Sequence, residues 1–343
     1  DGTARWTFTA SGRIDSPPTY YQGRLVFGSA DGRLYCVDAT DGRLVWRFRA
    51  APDERMLISD GRVESVWPVH GSVLIENDTI YCLAGRSLFL DGGMYLSLLG
   101  PSTGELIATH KWDDIDMETG KSMQLSNEGL KMVPSNSDLL VSDGRHIYLK
   151  AQKIGLDGKR IFPERGGQNK RYTLSKSDQD GEGTHLFSPP GFLDAAWHHR
   201  SYWLYGRAAG SGWGGWMKPG KYVPAGRILV VDEDKNVFGF GREPAFFAQS
   251  HVLEYQLFSA RGSTYKQDEW KDVFAHLKSK EASLTNWQQN RELPIEKLSS
   301  VEFNWRTANP PRLVRAMVGA GDTLFPAGPP YVLDETRLHV RFL

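Results

Sequence analysis

Three stretches of the chain concentrate side chains that can do chemistry. The first is split between "ESVWPVHGS" (64–72) and "RSLFLDGG" (86–93). It holds Glu64, Trp67, His70, Arg86, Ser87 and Asp91 beside glycines that let backbone N–H groups approach a ligand. His70, Arg86 and Asp91 form a candidate catalytic or ion-binding set, suited to an anion, a sugar or a cation. Glu64, Trp67 and Ser87 are candidate ligand contacts. The same residue types also serve structure, with an Arg86–Asp91 ion pair pinning the turn and His70 as a satisfied buried donor. The second stretch is "AWHHRSYWLYGR" (196–207). On a strand, alternate residues face opposite sides. His198, Arg200 and Tyr202 then share one face, where His or Tyr can act as a base and Arg can neutralise a uronate carboxylate. Neighbouring His198 and His199 point apart and cannot chelate one metal without a bulge. The alternative is a polar–aromatic strand packed between sheets. The third is "GSGWGGW" (210–216), whose Trp213 and Trp216 either stack on sugars or a partner, or close a sheet.

Other signals exclude chemistry. "VDEDKN" (231–236) offers Asp232, Glu233, Asp234 and Asn236, but lacks the spacing and glycine of a calcium loop, and reads as a hairpin turn, as does "KWDDIDMETGKS" (111–122). No Gly-x-Ser-x-Gly elbow, phosphate loop or zinc-protease motif occurs. No metal site is expected. Lys and Arg total 41 against 41 Asp and Glu, without the basic block that nucleic acid requires, and no apolar run suggests a membrane helix. Cys36 and Cys82, in "LYCVDA" and "IYCLAG", read as small buried hydrophobes, with a disulfide open only if their Cβ atoms approach within about 4.5 Å.

These stretches are positioned by short strands. With 36 Gly and 11 Trp in 343 residues, the composition suits strands joined by tight turns. Residues 13–49 hold "RLVFGS", "RLYCVDA" and "RLVWRFRA" separated by Asp-Gly turns; with the strand after "SPP" they make a four-stranded meander. The pattern recurs, giving an all-β propeller of four-stranded blades over approximately 13–49, 66–112, 130–176, 185–245 and 250–311, plus a partial unit from 312–343 and 1–10. All of 1–343 is expected to form one domain. A helical insertion is expected over 266–287, within 264–298, where Trp270, Val273, Phe274, Leu277 and Leu284 recur at helical spacing. Both ends fall inside a blade, so either they pair to close the ring or the chain is part of a longer ring of about seven or eight blades. The start at Asp1 gives the expectation of a processed chain or a segment of a longer parent.

"VDATDGRLVWRF" resembles the PQQ-like (quinoprotein-like) repeat, through Asp38, Asp41, Gly42 and Trp46. "STGELIATHKW" is a looser copy with Thr103, Gly104 and Trp112, and Gly100 where Asp is usual; "DGTARW" adds Gly2 and Trp6. The resemblance implies that Trp6, Trp46 and Trp112 dock on glycine turns of neighbouring blades. A large flat ring needs a surface without side chains, so the physics agrees. "ESVWPVHGSVL", "AGRSLFLDGG", "LDAAWHHRSYWLYGR" and "PAGRILVVDED" resemble quinoprotein-like propellers of planctomycete-type bacteria. A PQQ dehydrogenase of that family also carries a vicinal Cys-Cys pair and a calcium-binding Glu, Asn and Asp set. This chain lacks the Cys pair and shows no matching calcium motif, so no cofactor is assigned, and PQQ or Ca²⁺ stays open only with the oxidoreductase alternative.

The expectation for function is a periplasmic or extracellular binding or scaffold module, taking a glycan, a small molecule or a protein at the axial face. Two alternatives stand beside it: a lyase or hydrolase using the His/Arg/Tyr groups, and a PQQ-dependent oxidoreductase.

Overall fold

The computed structural model describes residues 3–115, 120–122, 136–150, 152–161, 186–187, 203–205, 223–246, 255–262 and 293–331. The chain divides into two compact units, Asp1–Phe162 with Phe192–Ala195, and Pro163–Gly191 with Ala196–Leu343.

Unit 1 is built from antiparallel meanders. The first runs β1 (Thr19–Tyr21), β2 (Arg24–Gly28), β3 (Arg33–Asp38) and β4 (Leu44–Arg49), each paired with the next. A two-stranded hairpin follows, β5 (Met56–Ser59) and β6 (Arg62–Ser65). The second meander is β7 (Leu74–Glu76), β8 (Thr79–Ala84), β9 (Met94–Leu99) and β10 (Leu106–Trp112). The third is β11 (Leu140–Ser142), β12 (Ile147–Leu149), β13 (Gln152–Ile154) and β14 (Arg160–Ile161). The fold is all-β with the four-stranded blades of a propeller.

Sequence pattern follows position in the blade. The middle strands β3 and β8 are buried on both faces, which explains the unbroken runs "LYCV" and "IYCLA". The last strands β4 and β10 alternate between half-buried and exposed residues. Between blades one and two lies a core of Val26, Leu34, Cys36, Val69, Ile80, Cys82 and Leu99. Between blades two and three lies another, of Leu83, Leu96, Leu98, Trp112, Ile147 and Ile154. Each fully buried aliphatic side chain there contributes about 1.5–3 kcal/mol.

Successive blades are fastened by one repeated contact. The Trp6 ring covers the β3–β4 turn: a Cβ on Gly42 (φ 73) would sit 2.5 Å from it, and the indole donates to Ala39 O at 3.1 Å. Trp46 does the same on the β9–β10 turn, where a Cβ on Gly104 (φ 70) would sit 2.6 Å from the ring and Nε1 donates to Pro101 O at 3.0 Å. Asp38 holds the first turn through the Thr40 N–H at 2.8 Å. The Thr40 hydroxyl and N–H keep its carboxyl below the usual range.

The third junction corrects the expectation for Trp112. His110, not Trp112, lies on the β13–β14 turn: its ring would meet a Cβ on Gly158 (φ 83) at 2.6 Å, and Nε2 lies 2.8 Å from Asp157 O. The residue at the matching position explains the change. Both β4 and β10 shift register just after their first residue, and the first paired residue beyond the bulge is Trp46 in one and Ala108 in the other. Ala108 is too short to reach the turn, and His110, next on the same face, takes its place. Trp112 is instead 2% exposed, in the core between blades two and three, with the Arg160 guanidinium 5.8 Å from its ring.

In unit 2, β15 (Leu186–Phe187), β16 (Trp203–Tyr205) and β17 (Ala225–Gly226) form one sheet. A four-stranded sheet follows: β18 (Ile228–Val231), β19 (Asn236–Arg242), β20 (Tyr255–Arg261) and β21 (Phe303–Ala308). β22 (Ala316–Ala320) pairs with β23 (Thr323–Ala327). The expected blade division between 245 and 250 falls inside the four-stranded sheet, because β19 and β20 pair continuously from Asn236↔Arg261 to Arg242↔Tyr255. "VDEDKN" forms the β18–β19 turn, with Asp232 accepting from the Asn236 N–H at 2.7 Å and from its side chain at 2.9 Å. The expected helix over 266–287 lies outside the described residues. The short helix α1 (Ile295–Leu298) lies just beyond it.

Candidate functional site

In a meander, the chain enters the first strand at the same end as the turn between the second and third. In unit 1 this end gathers the approach to β1 (Arg13–Ser16), the β2–β3 turn, the approach to β7 (Glu64–Gly71) and the β8–β9 loop (85–93). Backbone bonds lock these segments: Ala30 N to Arg13 O at 2.7 Å, Ser65 N to Ala30 O at 2.7 Å, Val69 N to Ser29 O at 3.0 Å and Gly85 N to Pro68 O at 2.9 Å. Gly28 is needed here, because a Cβ would lie 2.3 Å from Val69 Cγ1.

The polar side chains at this end form one linked chain. Glu64 is 2% exposed and receives the Arg86 guanidinium on Oε1. Arg86 also donates to Ser65 O at 3.3 Å. Arg13 Nη2 lies 3.8 Å from Glu64 Oε2, and Arg13 Nε donates to Asp15. His70 Nδ1 lies 2.6 Å from the other Asp15 oxygen. Burial acts to raise the Asp15 carboxyl, but hydrogen bonds from Arg13 and His70 outweigh it and hold it below the usual range. Asp15 is therefore ionised at neutral pH, and it holds the Arg13 guanidinium charged. Within this linked chain Glu64 Oε2 and Arg86 Nε are buried without hydrogen-bond partners, as is Trp67 Nε1 beside it. Such groups cost about 1–3 kcal/mol each, more when charged.

The structure brings together Glu64, His70 and Arg86, as the sequence suggested, and adds Arg13 and Asp15. Their signal was local: an Arg-x-Asp step just ahead of "SPP". Asp91 is a correction. It sits exposed in the β8–β9 loop at φ 54 and makes no ion pair with Arg86, which is held by Glu64 instead. His70 is half-buried on Asp15 rather than a buried donor. Trp67 is a second correction, since at 2% exposure its ring packs edge-on against Tyr95 with the Arg55 guanidinium 4.5 Å above it, and no face is left for a ligand. Ser87 bridges to Asn136 and caps the Phe89 N–H at 3.2 Å, a tie between blades two and three. His198, Arg200, Tyr202, Trp213 and Trp216 lie outside the described residues.

A depression of about 290 Å³ adjoins the cluster, lined by Ala10–Arg13, Ala30 and Arg62–Glu64. Among the described residues, no group of three or more His, Cys, Asp or Glu side chains could hold a metal. Cys36 and Cys82 are both free and buried. Among the described residues, no helix is long and apolar enough to cross a membrane.

A family model described as outer membrane protein assembly factor BamB matches residues 1–111. No curated protein matches the chain. Among solved structures, BamB from Moraxella catarrhalis is similar at 13% identity and a TM-score of 0.34, over 76% of this chain and 62% of that one. Quinohemoprotein alcohol dehydrogenase from Comamonas testosteroni is similar at 12% identity and a TM-score of 0.32, over 73% of this chain and 34% of that one. Quinohemoprotein alcohol dehydrogenase ADHIIG from Pseudomonas putida is similar at 13% identity and a TM-score of 0.35, over 72% and 44%. The chain thus spans less than two thirds of each of these three proteins. Residues 1–111 are built from PQQ-like propeller repeats.

Proposed function

We propose that this chain is an extracytoplasmic binding module whose partner, a protein, docks at the end of unit 1 that carries Arg13, Asp15, Glu64, His70 and Arg86. The observation that carries this reading is Glu64: a carboxylate 2% exposed, with one oxygen taken by Arg86 and the other without a hydrogen bond, beside a depression. The cluster suits recognition better than turnover. Its one histidine has Nδ1 on Asp15, and each arginine already faces a carboxylate, so the groups hold one another rather than a reacting atom. The matching family model, an outer membrane protein assembly factor, supports a protein partner and a location outside the cytoplasm.

The test is selection of a displayed random-peptide library on the whole chain, with a glycan array in parallel. Selected peptides should lose at least tenfold in affinity for R13A and H70A, while circular dichroism of both variants stays native. Peptides indifferent to both variants would overturn the assignment of this face. Binding confined to the glycan array would replace the protein partner with a sugar.

A further inference from the structure

The depression beside Glu64 runs along the edge of a strand. Alternate residues of a strand face opposite sides, yet the consecutive residues Arg62, Val63 and Glu64 all line it, so it meets β6 edge-on. The hairpin register says which backbone groups point there. Asp60 (φ 54) and Gly61 (φ 73) form a two-residue loop with both φ positive, closed by the Ser59↔Arg62 pair. Ser59/Arg62 and Leu57/Glu64 are therefore the hydrogen-bonded pairs, and Val63 and Ser65 direct their N–H and C=O outward. Ser65 confirms this by donating to Ala30 O at 2.7 Å. Val63 has no such backbone partner among the described residues. The far wall is another run of four consecutive residues, Ala10–Arg13. The space of about 290 Å³ lies at the bottom of the range for drug-sized ligands, about 300–1,000 Å³, and suits a narrow extended chain.

The side chains along this edge are charged in a fixed order. Arg62 is exposed and has no ion-pair partner among the described residues. Val63 is 63% exposed and continues an apolar face with Ile58 (77%) and Met56 (49%). Glu64 keeps its unbonded Oε2. We propose that a segment of a separate protein adds to β6 as an antiparallel strand, exchanging both backbone bonds with Val63 and reading basic–apolar–acidic from N to C. Its basic residue faces the Glu64 carboxylate, its apolar residue lies opposite Val63, and its acidic residue pairs with Arg62. Antiparallel addition follows the general preference for such pairs, about two- to three-fold over parallel ones. β6 itself reads basic–apolar–acidic, so a second copy carries the same code. Its β6 is walled by its own residues 10–13 and cannot enter the slot.

This inference rests on the binding reading above and is tested apart from it. The probe is a blocked, fluorescein-labelled peptide of threonines with a central Lys–Val–Glu, titrated against the whole chain by fluorescence anisotropy. It should bind, with at least tenfold loss for the order Glu–Val–Lys and for a peptide N-methylated at the central valine. V63P removes the outward N–H without breaking a β5–β6 hydrogen bond and should abolish binding with the fold intact by circular dichroism. R62E should weaken the Lys–Val–Glu peptide at least tenfold and recover with Lys–Val–Lys. Equal affinity of the N-methylated peptide overturns strand addition. So does failure of Lys–Val–Glu to bind while library-selected peptides still depend on Arg13 and His70; in that case the binding face survives. Mass that doubles with concentration in sedimentation and reverts in V63P makes the occupant a second copy and overturns the separate partner.

Discussion

The fastening of one blade to the next can be isolated with a pair of alanine substitutions. Gly104 and Gly61 have nearly the same backbone, φ 70 and φ 73, so alanine at either incurs the same left-handed strain, about 1–2 kcal/mol. They differ in surroundings: a Cβ on Gly61 meets nothing within 4 Å, whereas one on Gly104 lies 2.6 Å from the Trp46 ring. Overpacking of that kind adds about 1–3 kcal/mol. G104A should therefore cost about 2–5 kcal/mol and G61A about 1–2, the excess being the docking contact. At about 2–4 °C per kcal/mol for a unit of this size, the excess lowers Tm by roughly 2–12 °C. With two compact units in the chain, the shift must be read on the transition that G61A also moves, by circular dichroism and urea unfolding. In a W46A background the clash is gone, and G104A should then cost no more than G61A, a coupling of about 1–3 kcal/mol. Equal effects of G104A and G61A in both backgrounds would refute the idea that ring-on-glycine contacts join the blades.

Other outcomes follow from the same geometry. W112A should destabilise unit 1 by about 3–5 kcal/mol, as a core tryptophan 2% exposed, and H110A by about 1 kcal/mol; the reverse order in urea midpoints would restore Trp112 as the docking residue. R86M should cost about 3 kcal/mol by leaving Glu64 buried without its main partner, and R86M/E64L should recover most of it in the same assay. The Asp15 carboxyl is depressed in the folded state, so its contribution is present above the unfolded value of about 3.9 and disappears as pH falls through the lower folded value; urea midpoints between pH 6 and 3 should fall less for D15N than for the parent. Burial pushes the Cys36 thiol up to about 11 and the Cys82 thiol to about 12, so neither should react with a disulfide reagent at pH 8 until the chain is denatured.

The features legible in the sequence were those set by local chemistry. Gly42 and Gly104 occupy positive φ, which only glycine adopts freely, and Trp6 and Trp46 each stand four residues beyond the glycine of an Asp-Gly pair. Middle strands announced themselves as unbroken apolar runs. His110 was hidden because Ala108 stands where the first strand has Trp46 and a smaller ring two residues on fills the socket, so the tryptophan rule pointed one residue pair too far. Within the site, residue types were visible but partners were not. Nothing local tells Arg86 to choose Glu64, 22 positions back, over Asp91, and Arg13 and Asp15 reach the cluster only because blade one folds against the approach to blade two. The β6 edge was invisible for a similar reason, since a free strand edge is a property of pairing, not of composition.

The socket-and-ring joint has an evolutionary corollary. At the described joints of unit 1 a ring meets the glycine turn between the last two strands of the next meander, so a duplicated or deleted meander presents like faces to whatever stands next to it. Copy number can then drift by unequal recombination without redesign of any junction. Only the residue filling the socket, tryptophan at two joints and histidine at the third, records which junctions have begun to diverge.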